Sequence, residues 1–186
     1  VQGEETAGRL VALGADRSRL TITGSLKFDS LELSPLPGRG PARVLRFFRM
    51  SPNRPVLIAG STMRGEDEAV IRAFNRVRTT AAGANALLII AARHPERFDD
   101  VERLCKAEGL ATIRRSDLPI DSEPRCDAVI LDSIGELAHL YQSATAVFVG
   151  GSLIPAGGHN ILDPALYGKS IVFGPHMENF KEIAET

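Results

Sequence analysis

The sequence predicts an α/β protein built on a doubly wound parallel sheet, and three observations carry that expectation. Short apolar runs rich in Val, Ile and Leu recur along the chain, helical patterns separate most of them, and no internal repeat or low-complexity tract breaks the alternation. Near-continuous hydrophobic strands joined through helices describe a parallel sheet covered on both faces. The predicted strands are Leu20 to Ile22, Val56 to Ala59, Ala86 to Ala91, Ala128 to Leu131, Ala146 to Val149 and Ile171 to Phe173. The predicted helices are Glu66 to Thr80, Glu96 to Glu108, Gly135 to Ser143, Ile161 to Tyr167 and Asn179 onward, the first with Val70, Phe74 and Val77 on one face. Between Ser30 and Pro55, Pro, Gly and Ser surround one short helical stretch, Ala42 to Met50, which reads as a surface connection.

At 186 residues, 44 % of them hydrophobic, the chain is sized for a single domain with one substantial core. Its 22 basic and 23 acidic residues leave a net charge of -1, so no global field recruits nucleic acid or an anionic membrane, and any anion site must be local. Basic residues are not interleaved with aromatics and Trp is absent, which also argues against a nucleic-acid surface. Cys105 and Cys126 fit no metal-ligand spacing and suggest a reducing compartment. The longest apolar stretches are far too short to cross a bilayer core of about 30 Å, so no membrane insertion is expected of this chain. The opening residues already read as an amphipathic helix and the last ones stop inside a helical pattern without a cap, so the chain reads as a piece of a longer protein.

The chemistry concentrates where strands end. Gly60-Ser61-Thr62, Arg93-His94-Pro95, Asp132-Ser133-Ile134-Gly135-Glu136 and Gly150-Gly151-Ser152 all follow apolar runs, and in a parallel sheet all fall on the carboxyl rim, where such folds bind ligands. Each by itself is an ordinary strand-to-helix turn. Together they offer glycine backbone amides, helix N-termini and a guanidinium to a phosphate. The stretch from Gly150 to Glu182 is dense in Gly, Pro, His and Asn. Asn160 and Asp163 share one helix start, where they serve either as a capping pair or as groups for a ribose. Lys27 follows the first predicted strand and acts on a developing anion only if that strand end faces the cleft. Motifs for a Walker loop, a GxGxxG dinucleotide fingerprint, a GxSxG elbow and a zinc site are missing.

In order along the chain, GSLKFD (24–29), IAGSTMRGEDE (58–68), ARHPERF (92–98), DSIGELAHLY (132–141) and VGGSLIPAGGHNILDPALYGKSIVFGPHMENF (149–180) resemble the 3-deoxy-D-manno-octulosonic acid (Kdo) transferases. These are glycosyltransferases of the GT-B type, with two Rossmann-like domains facing a cleft. The resemblance implies that residues 1–186 are the C-terminal, donor-binding half, with the acceptor domain, the membrane anchor and the glutamate general base in an N-terminal half. It implies contacts to the cytidine or phosphate of CMP from Arg93 and His94, a nucleotide-lining role for Ile134, Gly135 and Glu136, a ribose and phosphate grip from Asn160, Ile161, Leu162 and Asp163, and charge stabilisation by Lys27. Two positions depart from the family pattern: Asp163 stands where a Glu is usual, one methylene shorter, and Ile134 where a Met is common.

The implied reaction is inverting transfer of Kdo from CMP-Kdo to a lipid A precursor at the cytoplasmic face of the bacterial inner membrane, without a metal or other cofactor. The chain alone, lacking the base, is expected not to catalyse it. Two other readings stay open on the sequence: half of a UDP-sugar epimerase of the same two-domain architecture, and a non-catalytic α/β binding module whose glycine-rich loops only make turns.

Overall fold

The computed structural model describes residues 1–24, 54–118 and 124–185. Lys27 and the helix expected at 42–50 lie outside them. The chain divides into two compact units, Val1–Ser34 and Pro35–Thr186.

In the first unit, α1 spans Glu4–Ala12, with Glu4 and Glu5 in its first turn, where a carboxylate meets the positive end of the helix dipole. The strand expected at Leu20 to Ile22 does not form. Leu20 is extended but closes the preceding turn, its N–H donating to the Arg17 carbonyl at 3.1 Å and its carbonyl accepting from the Arg17 guanidinium at 3.2 Å. With both its backbone groups so engaged, Leu20 has none left for a strand ladder.

The second unit holds a six-stranded, wholly parallel sheet of β1 (Val56–Thr62), β2 (Leu87–Ala92), β3 (Thr112–Arg114), β4 (Ala128–Ile130), β5 (Ala146–Val149) and β6 (Ser170–Val172), in the order β3-β4-β2-β1-β5-β6. This is the predicted doubly wound architecture. Its helices are α2 (Asp67–Arg78), α3 (Phe98–Ala107), α4 (Leu137–Leu140), α5 (Leu162–Ala165) and α6 (Lys181–Ala184), each inside or beside its expected range.

Strand side chains alternate between two faces, so each strand serves two cores. Ala59, Leu88, Ile90, Ala128 and Ile130 pack on one face against Ile71 and Phe74 of α2 and Val101 and Cys105 of α3. Ile58, Leu87, Ile89, Val129 and Val147 are buried as well. At Gly60 of β1, the direction a Cβ would take meets Tyr141 and Leu137, which places α4 and the turn after it over the end of that strand.

The chain runs from β1 outward through β2, then returns to lay β5 on the opposite side of β1. Connections therefore diverge beyond the carboxyl ends of β1 and β5, leaving a crevice of the kind in which open α/β sheets hold ligands. The end of β1 is irregular at that point. Its register shifts between Gly60 and Thr62, and Ser61 between them takes φ 56°, a left-handed conformation rare outside glycine. Such strain persists only where the surroundings over-determine it, and it recurs at functional sites.

Candidate functional site

A cleft of about 260 Å³ opens at this switch point, lined by Ser61, Arg93, Gly135, Tyr141, His159, Asn160 and Asp163 with apolar neighbours from α4 and β5. Its walls come from four loops that are far apart in sequence: the ends of β1 and β2, the turn before α4, and the glycine-rich stretch after β5. Three of the four strand-end groups picked out in the sequence line it, through Ser61, Arg93 and Gly135, while Gly150-Gly151-Ser152 does not.

Arg93 is exposed, and among the described residues its guanidinium has neither an ion pair nor a hydrogen bond. Its backbone is held firmly, because Arg93 N–H donates to the Thr62 carbonyl at 2.9 Å. The same carbonyl accepts from Arg97 at 2.9 Å, and Arg97 also pairs with Asp67 beneath the loop. Burial pushes the Asp67 carboxyl up despite the hydrogen bond and charge of Arg97. Arg97 thus fastens the turn that presents Arg93 to both β1 and α2.

The glycine-rich stretch is arranged differently from the sequence expectation. Backbone amides at Gly150 to Ser152 were expected to face a ligand; instead they face inward. Gly150 N–H donates to the Gly60 carbonyl at 2.8 Å. Glu66, at 0 % exposure, accepts from Gly151 at 2.7 Å and Met63 at 2.8 Å on one oxygen, and from Ser152 and Leu153, each at 2.9 Å, on the other. A protein carboxylate already occupies the anion nest these amides build, so the loop is shaped before any ligand arrives.

That shape sets the next turn. The Gly151 carbonyl accepts from Gly158 N–H at 2.8 Å, and the Gly150 carbonyl lies 2.7 Å from His159 Nδ1. A carbonyl only accepts, so Nδ1 carries the hydrogen and Nε2 of a neutral ring is left as an acceptor. Gly151 takes φ 69°, and a Cβ there would sit 2.6 Å from the His159 ring. Only glycine allows the imidazole to lie against this strand end.

Asn160 and Asp163 follow at the start of α5. Asn160 Nδ2 donates to Asp163 Oδ1 at 2.9 Å, and Asn160 Oδ1 accepts from Leu162 N–H at 3.0 Å, so the capping pair exists and its side chains also line the cleft. Ile161 and Leu162 are buried and anchor the turn rather than face the cleft.

The remaining expected residues are placed less centrally. His94 is exposed, with Nδ1 4.0 Å from a Glu96 carboxylate oxygen, and does not line the cleft. Ile134 is 89 % exposed on the rim. Glu136 is engaged by Arg115 at 3.1 Å and by the Ser133 hydroxyl at 2.6 Å, which holds the loop that carries Gly135. Two contributors escaped the sequence reading: Glu66, whose position reads as an ordinary acidic helix start, and Tyr141, which lies within the motif DSIGELAHLY but after its strand-end turn.

Burial raises the Asp163 carboxyl above its ordinary range. A carboxyl raised in the folded state binds its proton more tightly than in the unfolded chain, so folding stability falls as pH rises through the folded pKa. Asp163→Asn keeps an acceptor for Asn160 and removes the charge. We expect the variant's melting temperature to rise relative to the parent between about pH 4 and about pH 7; a constant difference across that range would contradict this.

No protein-family model matches the chain. It is 36 % identical to the 3-deoxy-D-manno-octulosonic acid transferase of Bordetella pertussis, over 98 % of this chain and 41 % of that protein. It is 37 % identical to the enzyme of the same name from Haemophilus influenzae, over 94 % of this chain and 40 % of that one. A bifunctional glycosyltransferase/methyltransferase of Fusobacterium nucleatum is 35 % identical over 100 % of this chain and 28 % of its own length. The chain therefore spans about two fifths or less of these relatives. Among solved structures, the C-terminal CMP-Kdo binding domain of WaaA from Acinetobacter baumannii matches with a TM-score of 0.66 at 32 % identity, over 77 % of this chain and 74 % of that one. Shared sequence across nearly the whole chain and a shared fold across most of that solved domain agree: the chain belongs to the 3-deoxy-D-manno-octulosonic acid transferase family.

Proposed function

We propose that this chain binds CMP-Kdo in the cleft between β1 and β5 and is the donor-binding domain of an inverting, GT-B type Kdo transferase. The observation that supports it is the convergence of Arg93, Gly135, Asn160 and Asp163 on one cleft at the switch point of the sheet. In this reading Arg93 holds the phosphate through charge-assisted hydrogen bonds, Gly135 lets the backbone approach the nucleotide, and Asn160 with Asp163 takes the ribose. Exposed Ile134 and His94 stand on the rim, where they close over the base and phosphate of a bound donor. Lys27 is assigned to the negative charge of the departing CMP, and the general base to another part of the full-length protein.

The acceptor in this proposal is a lipid A precursor at the cytoplasmic face of the inner membrane. No helix among the described residues is long and apolar enough to cross a membrane. No metal or other cofactor is called on, since Arg93 supplies a cation for the phosphate.

Calorimetric titration with CMP, with UMP and UDP alongside, tests the reading. CMP is expected to bind in preference to the uridine nucleotides, and Arg93→Ala to weaken it by about tenfold to a hundredfold, the effect of losing a hydrogen bond to a charged group. Preferential uridine binding would point to an epimerase half instead, and no binding at all would remove the donor-site assignment from this chain.

A further inference from the structure

Tyr141 lines the same cleft, yet it is only 4 % exposed, so its ring forms the floor rather than the rim. Its oxygen lies 2.2 Å from where a Gly60 Cβ would be, so the absence of a side chain at the end of β1 is what gives the phenol its place. Among the described residues the hydroxyl makes no hydrogen bond. Because Tyr141 lines the cleft, its hydroxyl is placed to donate to a group bound there. Burial and the neighbouring Asp163 charge push the phenol well up, so it stays protonated and able to donate.

Asp163 beside it is an acceptor, with Oδ1 already taken by Asn160. A donor next to an acceptor suits a neutral hydroxyl, which gives its proton to the carboxylate and receives one from the phenol. A phosphate would be repelled by Asp163 and is better met by Arg93 across the cleft. We propose that Tyr141 is a specificity-determining residue of this cleft, its phenol donating to a ribose hydroxyl whose own hydrogen Asp163 accepts. The ribose is chosen because the cleft is small, about 260 Å³, which keeps the hydroxyl group close to the phosphate end. The assignment rests on the nucleotide reading given above and extends it to a residue that reads hydroxyls.

The test is titration of the 186-residue chain and its Tyr141→Phe variant with CMP and with 2′,3′-dideoxycytidine 5′-monophosphate, together with thermal melting. The parent is expected to prefer CMP. Tyr141→Phe should weaken CMP binding by about tenfold, leave the dideoxy nucleotide little changed, and leave the melting temperature equal or higher. A variant that binds CMP like the parent overturns the proposal. So does a parent that binds both nucleotides equally, or a variant that weakens both while melting lower, which is the mark of a structural ring. If the parent binds no CMP, the donor-site reading itself fails, a result distinct from the others.

Discussion

Glu66→Ala is expected to destabilise the second unit by about 4 kcal/mol or more, because it strips the acceptor from four backbone N–H groups, of which those of Gly151 and Ser152 are buried and left without a partner. Glu66→Gln is nearly isosteric but turns one oxygen into an NH₂ facing donors, and should cost about 2 kcal/mol or more. Urea unfolding of the three proteins measures both values. The damage should also reach ligand binding, since the Gly150 and Gly151 carbonyls hold His159 and Gly158 in place. Weakened CMP binding together with faster amide exchange across residues 150–160 is the expected signature. A Glu66→Ala protein as stable as the parent would show that water replaces the carboxylate and that the nest does not depend on it.

The second large effect is expected at Arg97. Arg97→Met keeps much of the side-chain volume but leaves Asp67, which is buried, without its cation, a change that costs about 3–5 kcal/mol when one partner of a buried pair is removed. The Asp67 carboxyl is already raised by burial, and without Arg97 it rises further. Its protonation therefore relieves the variant at low pH, so the stability deficit should shrink as pH falls and widen as pH rises. Adding Asp67→Asn should recover part of the loss at neutral pH, because a neutral amide carries no unpaired charge. A deficit that is independent of pH, with no recovery in the double variant, would mean that lost packing rather than an orphaned carboxylate is responsible. Because Arg97 and the Arg93 backbone share the Thr62 carbonyl, the variant should also weaken nucleotide binding through the displaced Arg93 turn.

The elements that were legible in the sequence are those whose burial is local and one-dimensional. β2 is apolar throughout, and α2 repeats its apolar residues at helical spacing, so each announces itself. β3, Thr112–Arg114, has one apolar residue in three and stands at the sheet edge half-buried, so no hydrophobic run marked it. Leu20 to Ile22 shows the opposite failure: a β-prone run whose first residue spends its backbone N–H and carbonyl on Arg17 of the preceding turn. Propensity decides that a segment is extended, but pairing depends on which donors and acceptors remain free.

Of the candidate site, residue identity at the strand ends was readable, because parallel topology puts every carboxyl end on one rim whatever the strand order. The sequence by itself therefore determined the fold class, the family resemblance and the presence of Arg93, Gly135, Asn160 and Asp163 on that rim. The tertiary structure alone decided which groups are spent on the protein. Glu66 turned out to fill the nest that the glycine amides build, Glu136 to face Arg115, and Tyr141 to line the cleft with a hydroxyl that makes no hydrogen bond among the described residues. The physical reason is that a hydrogen-bonding group has a fixed capacity. Whether that capacity is open to a ligand depends on partners such as Glu66 and Gly151, 85 residues apart along the chain, a separation at which no periodicity or spacing rule operates.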